Sequence, residues 1–117
     1  MIRALFVMSS LLMVQPAVQA ADGYPCQWVR GRLSTYNGNP TFRIWPQGTR
    51  RLLGVVGEKP GETEDAAILP IAVRKADPGF ERDIWGSFRV CPVTPERKGL
   101  MRMVRMVDAR DLRVRER

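Results

Sequence analysis

The strongest constraint in this sequence is the two-residue alternation of polar and apolar side chains between Trp28 and Val56. Successive side chains of a strand point to opposite faces of a sheet, so Arg30 and Arg32 are expected on one face and Val29 and Leu33 on the other. The pattern predicts strands of a sheet that has one buried and one solvated face.

Two turn sequences divide this stretch into three strands. Asn37-Gly38 predicts a two-residue type I′ turn, because both central residues of that turn need positive φ. The run Trp45-Pro46-Gln47-Gly48 predicts a type I turn whose glycine takes the left-handed bulge position. The first strand is expected to end near Tyr36, the second to contain Phe42–Trp45 and the third to cover Thr49–Val56, which together form a meander.

The second half of the chain is punctuated more heavily by glycine and proline. Gly57–Phe80 is predicted to be a connector with at most one short helix, capped near Thr63 and ending by Leu69. Trp85–Val93 and Leu100–Val107 resume the alternation and predict a hairpin around a loop at residues 95–99.

Two further features are expected near the C-terminus. A phase slip between Arg102 and Arg105 predicts a bulge in the last strand of the hairpin. Leu112 and Val114 indicate a short final strand, after which the charged residues are expected to fray.

This order of elements predicts an all-β fold, specifically a small OB-like five-stranded barrel built from a three-stranded meander, a connector with a short helix and a hairpin. In such a barrel the first strand runs antiparallel beside the fourth. A β-sandwich and an SH3-like barrel use similar strands and are the alternatives.

The first 20 residues predict a cleaved signal peptide. Arg3 precedes the apolar run Ala4–Val14, which is shorter than the roughly 20 residues needed to cross a bilayer, and Val18 and Ala20 are small enough for a cleavage site. We therefore expect an exported protein, periplasmic or secreted, in which residues 21–117 form one small domain with no transmembrane segment.

Two cysteines, Cys26 and Cys91, lie outside the predicted signal peptide. In an oxidising compartment such a pair predicts one disulfide. The alternatives are a reactive thiol or a metal-binding pair, although the chain has no CxxC motif and no histidine.

Basic residues outnumber acidic ones, 19 to 12, giving a net charge of +7, of which one positive charge lies in the predicted signal peptide. Ligands of OB-like barrels lie across strands two and three, between the first hairpin loop and the loop that joins strands four and five. The residues expected on that surface are Tyr36, Arg43, Trp45, Arg50, Arg51, Arg97 and Lys98. Arginine forks and aromatic faces suit an anionic polymer, a glycan or an acidic protein surface. The alternative is that these arginines only keep a sheet face soluble.

Signatures of catalysis are scarce. The chain has no histidine, no GxSxG motif, no P-loop and no GxGxxG motif, so we expect no enzymatic activity and no cofactor. The carboxylates left for a hydrolase hypothesis are Glu81 with Asp83 and Asp108 with Asp111.

A metal site is not expected either. Glu62, Glu64 and Asp65 lack the spacing of an EF-hand calcium loop. Their position at a helix start favours helix capping instead.

The run CQWVRGRLSTYNGNPTFRIWPQGTRRLLGV and the later FRVCPVT resemble a group of small exported proteins of Gram-negative bacteria with an OB-like β fold and no assigned activity. The resemblance covers most of residues 21–117. It implies a location in the envelope and the pairing of Cys26 with Cys91, and it supplies no ligand-binding residues.

These features together predict a non-enzymatic, exported β-barrel module that binds an anionic or carbohydrate partner. Export disfavours nucleic acid as that partner. The alternative is a structural or accessory envelope protein that docks on a partner protein through an added strand or a patch near Met101, Met103 and Met106. Core filling is the competing explanation for these methionines.

Overall fold

The computed structural model describes residues 23–117, and the predicted signal peptide at residues 1–20 lies outside the described residues. Strands dominate, which confirms the all-β prediction: β1 (Gln27–Thr35), β2 (Phe42–Pro46), β3 (Leu53–Val55), β4 (Arg82–Pro92) and β5 (Arg102–Glu116). A 3-10 turn (Ala66–Ile68) and a short helix, α1 (Ile71–Lys75), lie between β3 and β4. No helix within residues 23–117 is long and apolar enough to cross a membrane.

The five strands form one sheet that closes into a ring in the order β1-β2-β3-β5-β4. Four of the pairings are antiparallel, and β3 pairs with β5 in parallel over Leu53–Val55. A parallel pair needs a crossover, which the connector and β4 provide. The predicted contact between the first and fourth strands is confirmed by the pairing of Gln27 with Val90 and of Leu33 with Ile84.

The inside of the ring is filled by aliphatic side chains together with Phe42 and Phe88. The residues with no exposed surface are Leu33, Ile44, Val55, Val73, Ile84, Phe88, Val90 and Val104. Every strand contributes to this set, and α1 adds Val73. Met106 is also buried and Met101 and Met103 are half-buried, so core filling holds for Met106.

A disulfide joins Cys26, just before β1, to Cys91, near the end of β4. The two Cα atoms are 4.1 Å apart because the antiparallel pairing of β1 and β4 brings these chain positions opposite each other. The predicted pairing is confirmed, and both cysteines of the chain are used in it.

The connection between β1 and β2 differs from the predicted type I′ turn. It spans residues 36–41, and only Gly38 of the Asn37-Gly38 pair has a positive φ. The Tyr36 amide donates to the Thr41 carbonyl, while the Thr41 amide donates to Thr63 in the connector. The loop is longer than a two-residue turn, and the amide of its last residue, Thr41, donates to the connector rather than across the hairpin.

The second turn keeps its predicted left-handed glycine, with φ of 82° at Gly48. It begins one residue later than expected, since the Thr49 amide donates to the Pro46 carbonyl. Glycine with positive φ at the third position is typical of a type II turn rather than the predicted type I turn.

The connector also differs in detail. Asp65, not Thr63, caps the 3-10 turn, because its carboxylate accepts a hydrogen bond from the Ala67 amide. The helix α1 begins beyond the predicted limit at Leu69, directly after Pro70, where proline needs no amide partner. The capping interpretation of this acidic stretch is therefore confirmed for Asp65.

The C-terminal part of the chain is one long strand rather than two short ones. β5 pairs with β4 up to Glu116, and β4 begins at Arg82, earlier than predicted. The register shifts lie beside Val107 and Asp111, not between Arg102 and Arg105. The end does not fray either, because the Arg117 amide donates to the Glu81 carbonyl.

Candidate functional site

The seven predicted ligand residues fall into three groups rather than one surface. In the first, the Arg43 guanidinium carbon lies 4.5 Å from the centre of the Tyr36 ring. Arg43 Nε also donates to the Pro40 carbonyl at 2.9 Å. Both side chains are half-buried and hold each other at the β1–β2 connection.

Trp45 belongs to a second group on the outer face of the ring. Arg32 on β1 pairs with Trp45 on β2 and with Trp85 on β4, so the arginine lies between two indoles. Its guanidinium carbon is 5.2 Å from the Trp45 ring and 5.8 Å from the Trp85 ring, and the two rings meet edge to face at 5.9 Å. We call Arg32, Trp45 and Trp85 the tryptophan–arginine cluster.

A hydrogen bond holds Trp45 of the cluster, and contact with the indoles holds Arg32. Trp45 Nε1 donates to the Thr49 carbonyl at 2.8 Å, which fixes the indole against the second turn. Arg32 Nε is covered by its neighbours and makes no hydrogen bond to any of residues 23–117. Contact with the indole faces is therefore the main stabilising interaction of this part of the guanidinium.

A cavity of about 270 Å³, which we call the outer-face cavity, opens beside Trp85. It is lined by Arg30, Gly31, Gln47, Trp85, Gly86, Asp111, Arg113 and Arg115. Three guanidinium groups face one carboxylate, which leaves an excess of positive charge. The antiparallel pairing of Trp85 with Arg113 and of Asp83 with Arg115 brings the β5 arginines to this face.

Sequence reasoning missed most of this cavity. Arg30 and Arg32 were expected on the solvated face of β1, but Trp85, Arg113 and Arg115 were not assigned to any site. The alternation across β4 and the repeated arginines after Leu112 were the available signals.

A second arginine–tryptophan contact lies outside the cluster. The Arg110 guanidinium carbon is 4.1 Å from the centre of the Trp28 ring.

The third group contains the four remaining predicted residues. Arg50, Arg51, Arg97 and Lys98 line a cavity of about 570 Å³ between the β2–β3 loop and the β4–β5 loop. Arg51 forms an ion pair with Glu96, which joins the two loops. Four of the seven predicted residues therefore lie together at these loops, apart from the tryptophan–arginine cluster.

An ionic network lies at the start of β4. The Asp83 carboxylate accepts hydrogen bonds from Ser34 at 2.7 Å and from Arg117 Nε at 2.8 Å. Burial works against the charged form, but the hydrogen bonds from Arg117 and Ser34 outweigh it and lower the pKa of Asp83 below its ordinary value. This direction is opposite to the raised pKa that the hydrolase hypothesis required of Asp83.

The lowered pKa of Asp83 predicts a pH-dependent stability. A carboxylate favoured in the folded state stabilises the protein above its unfolded-state pKa of about 3.9, and this stabilisation is lost as the pH falls through the lower folded-state pKa. Asp83→Asn should lower the free energy of unfolding by about 1.5 kcal/mol near neutral pH. Urea unfolding of both proteins should show this difference shrinking as the pH is lowered below about 4.

Asp111→Asn is the matched control for this measurement. Asp111 is exposed, has a left-handed backbone that asparagine also accepts, and forms no ion pair within the described part of the chain. Its substitution should change stability by less than about 0.5 kcal/mol. Equal losses from the two variants would contradict a specific role of the Asp83 network.

No family model, curated protein or solved structure matches this chain. Among residues 23–117, no group of three or more acidic or cysteine side chains is arranged to hold a metal ion. The basic and aromatic surfaces are therefore the features of the described residues that bear on function.

Proposed function

We propose that this protein is a non-enzymatic, exported binding module with an OB-like barrel, and that its outer-face cavity binds an acidic glycan. The single observation that carries the proposal is the arrangement of Arg30, Arg113 and Arg115 around a cavity walled by Trp85. Guanidinium forks bind carboxylate, sulfate or phosphate groups in a bidentate manner. An indole face beside them offers a flat apolar surface for a sugar ring.

The strand order supports the OB-like assignment. A three-stranded meander, a connector with one short helix and a final hairpin are closed by antiparallel β1–β4 contact and parallel β3–β5 contact. Proteins with OB-like barrels bind oligosaccharides and oligonucleotides on the sheet surface. The outer-face cavity is displaced from the expected strands two and three toward β1, β4 and β5.

The disulfide supports the proposed export, because disulfides persist in oxidising compartments such as the periplasm and the extracellular space. Acidic polysaccharides are abundant at the cell surface, where an exported protein meets them. The same compartment makes nucleic acid a less natural partner despite the net charge of +7.

The size of the cavity bears on the ligand. Its volume of about 270 Å³ lies just below the roughly 300 to 1,000 Å³ of typical small-molecule pockets. Such a cavity suits one charged unit of a longer chain. The tryptophan–arginine cluster continues beyond it and would contact the neighbouring unit.

Binding to polygalacturonate, with neutral dextran as the uncharged probe, tests the proposal. Isothermal calorimetry at low salt should detect binding to polygalacturonate and no binding to dextran. Arg113→Ser with Arg115→Ser should weaken binding at least about tenfold, since each removes charge-assisted hydrogen bonds. Affinity should also fall as salt rises to physiological strength, where the Debye length is only about 8 Å.

Arg74→Ser with Lys75→Ser is the matched control, because these exposed residues of α1 carry the same charge outside the cavity. This variant should keep most of the affinity. Equal weakening by both double variants would show a response to net charge alone and would refute a site at the outer-face cavity. Binding that is insensitive to salt would refute its electrostatic basis.

A further inference from the structure

Two loops meet at one end of the ring and form a surface separate from the outer-face cavity. The β2–β3 loop contributes Arg50 and Arg51, and the β4–β5 loop contributes Arg97, Lys98 and Leu100. We call these five residues the basic loop surface. The ion pair between Arg51 and Glu96 connects the two loops, so the cations are carried by one joined structure.

Leu100 is the most exposed large hydrophobic side chain in the described part of the protein, at 65%. A turn holds it there: the Leu100 amide donates to the Arg97 carbonyl at 3.2 Å, and Gly99 has a φ of 81°. This turn carries Leu100 on the outside of the β4–β5 loop.

Four cations line the same cavity as this leucine. Arg50, Arg51, Arg97 and Lys98 are exposed, and Glu96 is the one acidic residue that lines the same cavity. Because Glu96 is already paired with Arg51, three of the cations have no ion-pair partner within residues 23–117. Leu52 and Met101 extend the apolar part toward the interior.

We propose that the basic loop surface docks on an anionic lipid surface. The cations bind lipid phosphates while Leu100 enters the headgroup region. Basic residues near an anionic membrane and a projecting apolar side chain are the two contributions that give peripheral proteins their membrane affinity. A protein partner is less well matched, because Leu100 is the one large apolar side chain exposed at this cavity and four cations line the same cavity.

This docking is independent of glycan binding, since the basic loop surface shares no residue with the lining of the outer-face cavity. The membrane would hold the protein by one end of the ring. The side of the ring that carries Arg113 and Arg115 would remain available to a polysaccharide.

Co-sedimentation with vesicles tests the inference. Vesicles of phosphatidylglycerol and phosphatidylcholine should bind the protein at low salt, and vesicles of phosphatidylcholine alone should not. Arg97→Ser with Lys98→Ser should lower the partition coefficient about 25-fold, at about fivefold per cation. Leu100→Ser should lower it about tenfold through the lost apolar contact.

Two matched variants serve as controls. Ile71→Ser removes an aliphatic side chain that is 61% exposed on α1 and should leave vesicle binding unchanged. Arg74→Ser with Lys75→Ser removes two charges from the same helix and should reduce the partition coefficient by less than about threefold. The residues replaced in all four variants are exposed, so the thermal unfolding temperature should be nearly unchanged in each of them.

Several results would overturn the inference. Equal binding to both vesicle types, or no effect of Leu100→Ser, would refute docking through this surface with an inserted leucine. Soluble polyphosphate could also bind this surface. If it bound the protein as tightly as the vesicles do and displaced it from them, the site would be assigned to free phosphate polymers. The double variant Arg113→Ser with Arg115→Ser separates the two proposals. Its binding to polygalacturonate should weaken, while its binding to vesicles should be retained.

Discussion

Replacement of Cys26 and Cys91 together by serine is expected to lower the free energy of unfolding by about 4 kcal/mol. The disulfide spans 65 residues and joins β1 to β4 at the position where these strands begin and end. Without it, the unfolded chain gains the conformational freedom of a long loop, and the folded state must restrict that freedom again. Urea unfolding under non-reducing conditions measures the loss.

The reduced wild-type protein is the internal control for this prediction. Unfolding in the presence of dithiothreitol should match that of the double serine variant. Cys91 is buried, so a single serine variant leaves one free thiol in the folded protein and is less informative. A loss below about 1 kcal/mol would contradict the view that this crosslink constrains the unfolded chain.

Gly31→Ala is expected to lower the free energy of unfolding by about 3 kcal/mol. Gly31 pairs with Pro46 on one side and Gly86 on the other, and an added Cβ would overlap the carbonyl oxygen of Trp45. This obstacle is backbone, which cannot rotate away as a side chain can. β1 and β2 would separate, and Arg32 would lose its contact with the Trp45 ring.

Gly79→Ala provides the matched control, since a Cβ at Gly79 would meet no atom within 4 Å and its φ is not positive. That variant should stay within about 0.5 kcal/mol of wild type. Thermal unfolding measures the difference, and tryptophan fluorescence reports the displacement of the cluster. Similar stabilities for the two alanine variants would show that β1 and β2 have room for a methyl group.

The strands could be predicted because their information is local. Alternation placed Leu33 and Ile44 on buried faces, and proline and glycine marked the breaks between strands. The extent of β5 could not be predicted in this way. Residues beyond Val107 are mostly charged, and they remain in a strand because β4 lies beside them and provides backbone partners.

The candidate site was predicted less completely, because it depends on register. Trp45 was expected at a ligand surface, but nothing local indicates that Arg32 pairs with it on one side and with Trp85 on the other. Likewise, Arg113 joins Trp85 only through a strand pairing with two register shifts. Which arginines share a cavity is decided by these pairings across the sheet.

The parallel contact between β3 and β5 has a consequence for how the molecule forms. β5 supplies two of the five seams that close the ring, one with β3 and one with β4. During synthesis, which starts at the N-terminus, the chain exposes its apolar strand faces until Arg102–Glu116 has been made. The ring can therefore close only once β5 is present, and we expect a chain cut before Arg102 to remain an open sheet that proteases cleave.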